Sequence, residues 1–272
     1  MNPLSSPPGS ILRVAPLALL RRPFLTLLAL SAFVSFARAD GQPPGAATGA
    51  TAEKAVRVAC VGDSITFGAG LADAPHDAYP AVLGRLLGAG WDVRNFGVGG
   101  ATLLKKGDKP YFKQQACADA LAFAPDIVVI MLGTNDSKHP GDGSLDADHA
   151  PDNWQYKADY APDYKELIAD FRKANPAVKV YLCLPTPCFP GRWGINDKTI
   201  HDEIIPLVRK VAGETKSGVI DLNAALAGKS DLFPDTVHPN AEGAALMAAA
   251  VYQALTGRPA PASAIPNPKS KI

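Results

Sequence analysis

The chain has 272 residues, with 27 Lys and Arg against 26 Asp and Glu. That length can bury a full core as one domain. The balanced charge, with no basic tract, argues against nucleic acid or an anionic membrane as the main partner.

The first 39 residues read as an export signal rather than as fold. Arg13, Arg21 and Arg22 precede an apolar run from Pro23 to Phe36, which is followed by Ala37-Arg38-Ala39. This is the basic region, apolar region and small-x-small cleavage pattern of a secretory leader. The run is shorter than the ~20 residues of a membrane-spanning helix, so no stable membrane anchor is expected. Arg21-Arg22-Pro23-Phe24-Leu25 also fits a twin-arginine pattern, which leaves the export route open. The expected location is therefore periplasmic or secreted. Cleavage removes four basic residues and no acidic ones, for a mature net charge of −3. Residues 40–54, rich in Gly, Ala, Pro and Thr, read as a flexible linker.

The folded domain is expected over 55–257. Ala55–Val61 is a short apolar run that ends at Gly62, as a buried parallel strand would. Tyr79–Leu87 has helical spacing and Trp91–Phe96 reads as the next strand. A helix around Phe112–Phe123 leads to Asp126–Leu132, the most strand-like run of all. Ala161–Ala174 is helical, and Val178–Leu184 is a strand. Asp197–Lys216 is helical apart from Pro206, which should bend or interrupt it. Gly218–Leu222 is a short strand, Asn240–Leu255 is a closing amphipathic helix, and the Pro-rich segment 258–272 reads as a disordered tail. Strand–helix alternation through five strands predicts an α/β fold with a parallel sheet covered on both faces.

Four cysteines, Cys60, Cys117, Cys183 and Cys188, show no zinc-like spacing. Export permits disulfides, and Cys183 and Cys188 are near enough to pair across a tight loop. Cys60 and Cys183 also lie in apolar strand-like runs, where a buried free thiol is the simpler outcome.

Four short motifs fall in order: Gly62-Asp63-Ser64-Ile65-Thr66, Gly97-Val98-Gly99-Gly100-Ala101-Thr102, Gly133-Thr134-Asn135-Asp136 and Asp235-Thr236-Val237-His238. Each follows a predicted strand, the first, second, third and fifth. Ligands of parallel sheets bind at those carboxyl ends. Ser64 is a candidate nucleophile, inert until a base removes its proton. His238 can be that base if Asp235, three residues earlier, accepts from its other ring nitrogen. Each motif has a plainer reading: a turn for Gly-Asp-Ser, a positive-φ turn for the glycines, and a helix cap for Asp235 or Asn240. His76, His139, His149 and His201 share no spacing and read as solvated residues. The acidic stretch Asp142–Asp152 lacks the EF-hand pattern and reads as a surface insertion.

In this order the motifs resemble the SGNH branch of the GDSL esterases and lipases, over roughly residues 55–256. The resemblance implies a flavodoxin-like three-layer sandwich with a five-stranded parallel sheet. It also implies a serine esterase that needs no cofactor or metal. By motif position the catalytic residues would be Ser64, Asp235 and His238. The oxyanion hole would be the Ser64 amide, the Gly100 amide and the Asn135 side chain, with Gly99 as a register alternative to Gly100. Asp63 and Asp136 would brace loops.

The loops should decide the substrate. Ser137–Tyr160 carries Trp154 and Tyr156, and Pro185–Ile195 carries Phe189 and Trp193. Trp154 and Trp193 are candidate substrate-binding residues, since flat aromatic faces suit sugar rings; ordinary loop packing is the other reading. Neither loop has the apolar stripe of a lipase lid. The run Leu184-Pro185-Thr186-Pro187, with Gly133–Ser137 and Asn153-Trp154, resembles exported carbohydrate or sialate O-acetylesterases. The expected activity is hydrolysis of short-chain, acetyl esters on a small molecule or glycan. A lysophospholipase or thioesterase of the same superfamily is the enzyme alternative, and a carbohydrate-binding relative without turnover is the non-enzyme one.

Overall fold

The computed structural model describes residues 54–140 and 144–261. The leader, the first 14 residues of the linker (40–53) and residues 262–272 of the tail lie outside them. Among the described residues, no helix is long and apolar enough to cross a membrane.

Five strands form one parallel sheet: β1 (Val56–Gly62), β2 (Trp91–Gly97), β3 (Ile127–Met131), β4 (Lys179–Leu184) and β5 (Gly218–Asp221). Their order is β2-β1-β3-β4-β5. The chain leaves β1 toward one edge and then returns to build the other side, so the switch point lies between β1 and β3. The apolar runs have no polar face because both faces are covered. Val58 and Cys60 of β1, with Val129 and Met131 of β3, join one core cluster, and Ala59, Val61, Val128 and Ile130 join the other.

Two helices cover the first face: α2 (Tyr79–Leu87) and the closing helix α6 (Ala241–Thr256). On the opposite face lie α3 (Gln115–Ala122), α4 (Tyr160–Ala174) and α5 (Ile205–Thr215). Asn240 caps α6 by accepting from the Gly243 amide at 3.0 Å, so Asn240 and not Asp235 is the cap.

Two helices depart from the sequence reading. The span Phe112–Phe123 is broken at Gln114, whose ψ of 144° is extended; a 3₁₀ turn, Tyr111–Lys113, precedes it. The Tyr111 hydroxyl holds that turn down by donating to the Phe96 carbonyl at 2.8 Å. Around Pro206 the helix is not interrupted. Ile200–Ile204 widens into a π turn in which the Ile205 amide reaches back to the Ile200 carbonyl. Proline has no N–H for the usual i→i−4 bond, and the wide turn absorbs that loss.

All four cysteines are buried and free. Cys183 is in β4, while the Cys188 amide donates to Asp197 Oδ1 at 2.8 Å, which turns that residue to a different partner. Burial pushes the thiols up, Cys60 to about 12 and Cys117 to about 11, so they behave as small apolar side chains.

Register levels the ends of the three strands that matter. Gly62 pairs with Gly97 on one side and with Met131 on the other. The turn after β1, Ser64–Phe67 (α1), packs onto the end of β2 so closely that a Cβ at Gly97 would lie 2.3 Å from the Phe67 amide nitrogen. Gly97→Ala should therefore force α1 off the sheet. The expected cost is about 1–3 kcal/mol, read as a lower urea midpoint at unchanged slope.

Candidate active site

Ser64 opens α1 directly beyond β1, and Asp63 caps that turn by accepting from the Ile65 amide at 2.9 Å. The cap leaves the Ser64 amide among the unpaired donors of the turn. His238 arrives from the far edge of the sheet. After β5 the chain runs back through Ser230–Leu232 to Asp235, and the turn there forces Thr236 to φ +73°. That is a left-handed conformation rarely adopted by β-branched residues. Hydrogen bonds on both sides hold it: Thr236 N–H to the Phe233 carbonyl at 2.9 Å, and Phe189 N–H to the Thr236 carbonyl at 2.8 Å.

The turn brings the three residues into one line. His238 Nε2 lies 2.8 Å from Ser64 Oγ and His238 Nδ1 lies 2.7 Å from Asp235 Oδ2. Asp235 Oδ1 accepts from the amides of Val237 at 3.0 Å and His238 at 2.7 Å. Partial burial alone would raise the Asp235 carboxyl. The His238 amide and ring and the Val237 amide outweigh it, and the group stays below the usual carboxylate range. An ionised Asp235 keeps the imidazole proton on Nδ1 and turns the lone pair of Nε2 toward the serine.

A cavity of about 220 Å³ opens over this line. Ser64, Gly100, Asn135 and His238 line it, with Ala69, Lys138, Trp193 and Ile195. Gly100 adopts φ +76°, where a residue without a side chain is favoured, and Gly100 rather than Gly99 faces the cavity. The Asn135 amide group donates to the Ala101 carbonyl at 3.1 Å, which spends one of its two hydrogens and holds the side chain against the glycine loop.

Asp136 and Asp63 brace this floor. Asp136, fully buried, accepts from the Leu103 amide at 3.0 Å and the Leu104 amide at 2.7 Å, tying the loop after β3 to the loop after β2. Burial pushes Asp136 up to about 7 and Asp63 up to about 6, against the opposing pull of the backbone amides.

The two tryptophans part company. Trp193 stands at the rim, 40% exposed, its ring centroid 5.8 Å from that of His238. Trp154 is 6% exposed in the core, edge-on to Tyr160, with Nε1 donating to Glu203 at 3.0 Å. The expectation of substrate contact at Trp154 is corrected: its indole N–H finds an acid on a packed helix and its ring faces away from solvent. Neither loop is independent, because Ser144–Leu145 pairs in parallel with Gly191–Arg192. His76 and His201 sit on their neighbouring aspartates, and His139 on Thr199, away from the cavity. Among the described residues, no group of three or more His, Cys, Asp or Glu could hold a metal ion.

Lys138 is the charged lining residue that sequence reasoning missed, beside the apolar Ala69 and Ile195. Its side chain is 12% exposed and its ammonium lies 3.2 Å from Asp108. Asn153 completes the set, donating to Asp108 Oδ1 and to the Asn135 carbonyl, both at 2.9 Å. The only signal for Lys138 was its position three residues after Asn135.

A model of the GDSL-like lipase/acylhydrolase family matches residues 60–246, from within β1 to within α6. The chain belongs to that family. A curated relative, an acetylxylan esterase of Xylanibacter ruminicola, is 42% identical over an alignment of 221 residues that covers 75% of this chain and 44% of the relative. The chain thus spans less than half the length of that protein. A solved catalytic mutant of an acetylxylan esterase from Geobacillus stearothermophilus has 25% identity and a TM-score of 0.58, covering 75% of this chain and 95% of its own. The native aryl esterase of M. smegmatis has the same fold at 21% identity and a TM-score of 0.59, covering 75% and 99%.

Asp136→Asn tests the brace. An amide side chain offers one acceptor where two backbone donors wait, so it should cost about 1–3 kcal/mol in urea unfolding. The folded-state pKa of Asp136 lies above its ordinary value of 3.8. The native state therefore holds the proton longer than the unfolded chain. This group's contribution to stability falls as pH rises from about 4 to about 7, and the gap between wild type and Asp136→Asn should narrow over that range.

Proposed function

We propose that this protein is an exported serine esterase that removes short acyl groups, above all acetyl, from a carbohydrate. The observation that carries the proposal is the continuous hydrogen-bonded line from Ser64 Oγ through both nitrogens of His238 to Asp235, beneath a small open cavity. Nothing in ordinary packing requires residues 174 positions apart to meet at hydrogen-bond distance in that order.

In the proposed reaction His238 Nε2 takes the proton as Ser64 Oγ attacks the acyl carbon. The charge that develops on the carbonyl oxygen is met by the Ser64 and Gly100 amides and the free Asn135 N–H, donors fixed before the substrate arrives. Collapse breaks the bond to the sugar oxygen, which takes the proton from His238 and departs as a hydroxyl, and leaves an acyl group on Ser64. Water then attacks through the same imidazole, releasing the acid and restoring the serine. Asp235 stays ionised and steadies the imidazolium in both halves.

Three features support a short acyl group on a sugar. The cavity is about 220 Å³, small against the ~300–1,000 Å³ of sites that enclose drug-sized ligands. Trp193 stands exposed at the rim beside His238, and flat aromatic faces suit sugar rings. The Xylanibacter relative and the Geobacillus structure are both acetylxylan esterases, which makes acetylated xylan the first polymer to try.

Ser64→Ala and His238→Ala should each remove nearly all hydrolysis of p-nitrophenyl acetate while leaving the fold unchanged by circular dichroism. The double variant should be no worse, because the two groups act as a unit. Asn135→Ala should lower kcat by about a hundredfold or more with little change in KM. Half the wild-type rate in Ser64→Ala would refute the proposal.

Across p-nitrophenyl esters kcat/KM should be highest for acetate and fall by butyrate. An apolar channel would instead add about 0.8 kcal/mol per methylene, and a rate climbing to octanoate would point to a lipid or thioester substrate. Trp193→Ala should slow an acetylated xylo-oligosaccharide far more than p-nitrophenyl acetate.

A further inference from the structure

Lys109 lies outside the four motifs, yet its ammonium donates to the Gly99 carbonyl at 2.7 Å. That carbonyl and the Gly100 N–H are the two ends of one peptide group. In a trans peptide they point in opposite directions, so a cation seated on the oxygen faces away from the N–H it polarises. Gly100 lines the cavity, and no described residue accepts from its amide.

Three further observations make the contact a built one. The Lys109 backbone is tied beside the glycine loop, its carbonyl accepting from the Thr102 amide at 2.9 Å, while the Thr102 carbonyl accepts from Tyr111 at 2.8 Å. The Lys109 side chain therefore starts from a fixed base, and it lies along Gly100, where a Cβ would come 3.6 Å from its Cδ. Among the described residues the ammonium has no carboxylate partner, unlike Lys138 on Asp108 and Arg192 on Asp146.

We infer that Lys109 is a positioning residue for the oxyanion hole: by binding the Gly99 carbonyl it orients the Gly99–Gly100 peptide and strengthens the Gly100 N–H as a donor. The inference rests on the esterase reading above, in which Gly100 meets the oxyanion. A hydrogen bond to a charged group is roughly twice as strong as a neutral one, and bonds in series strengthen one another. The donor matters most when the negative charge is full, so the gain appears in the transition state more than in substrate binding. A whole oxyanion-hole donor is worth about 10²–10³ in kcat. Weakening one, at a site where solvent screens the cation, should remove a fraction of that, about threefold to tenfold.

Lys109→Met and Lys109→Arg on the full chain, assayed with p-nitrophenyl acetate, test it. Lys109→Met should lower kcat about threefold to tenfold with KM changed less than about twofold, while Lys109→Arg retains most of the rate. The Ki of a methylboronic acid, whose tetrahedral Ser64 adduct presents an oxygen to the hole, should rise by the same factor in Lys109→Met. Raising salt to about 1 M should shrink the difference between wild type and Lys109→Met, since a screened ammonium polarises less. A merely structural lysine would not produce that salt dependence.

Unchanged kcat in Lys109→Met, a loss shared equally by Lys109→Arg, or a defect confined to KM would overturn the inference. If wild-type turnover is lost in Ser64→Ala while Lys109→Met runs at the wild-type rate, the inference fails alone. If wild type shows no Ser64-dependent turnover, both readings fail.

Discussion

The level ending of β2, β1 and β3 is the constraint on which the rest of the molecule depends. Gly62 stands opposite both Gly97 and Met131, so the three chains leave the sheet side by side. Two residues carry the first to Ser64, three carry the second to Gly100, and four carry the third to Asn135. Slipping any pair by one residue would reverse every core side chain of that strand and separate these groups at the same time. The core therefore enforces the geometry of the cleft: the pattern that buries Val58, Val61, Val129 and Ile130 also sets where the polar groups emerge.

Two buried carboxylates make that arrangement rigid, and both oppose the hydrophobic economy of the core. Asp63 and Asp136 lie within each other's field, which raises Asp136 further. Ionised groups at such depth are tolerated only when hydrogen-bonded. Asp136 meets two amides of the neighbouring loop; Asp63 meets one amide, and its Oδ2 has no partner in the described structure. Asp136 joins two loops that would otherwise be connected only through the sheet, while Asp63 caps its own turn. Asp235 differs because it remains at the surface of the turn, where three N–H groups favour its charged form.

What was readable in the sequence follows from how far each feature reaches along the chain. The five strands and the principal helices were legible because their signals are local: continuous apolar runs for strands buried on both faces, helical spacing for the covering layer. Ser64, Gly100 and Asn135 were legible because each lies within a few positions of a strand end, and Asp235 and His238, well beyond β5, because they lie three residues apart. Helix interiors were less so. Gln114 breaks a helix whose spacing looks unbroken, because the Tyr111 hydroxyl has a better partner in Phe96 than the helix supplies. Pro206 did not break one, since a π turn could form before it. Lys138 was silent in the sequence, as its meaning comes from Asp108 and Asn153, which lie 30 residues before it and 15 after.

The rim was hardest to read, and the two tryptophans show why. Both lie in polar loops beside motif strands, and composition alone treats them alike. The difference is made by contacts across the chain. Trp154 has Glu203 within reach of its N–H and Tyr160 against its ring, so burial costs it no hydrogen bond. Trp193 is held in a left-handed conformation at φ +55°, its amide donating to the Leu145 carbonyl at 2.8 Å. The two-residue pairing of Ser144–Leu145 with Gly191–Arg192 precedes that bond and is too short to leave any period in the sequence. It joins two loops that look independent on paper and turns one indole toward His238. The indole at the rim is thus placed by the smaller sheet of the described residues, while Ser64, Gly100 and Asn135 are placed by the larger, and the two can vary separately.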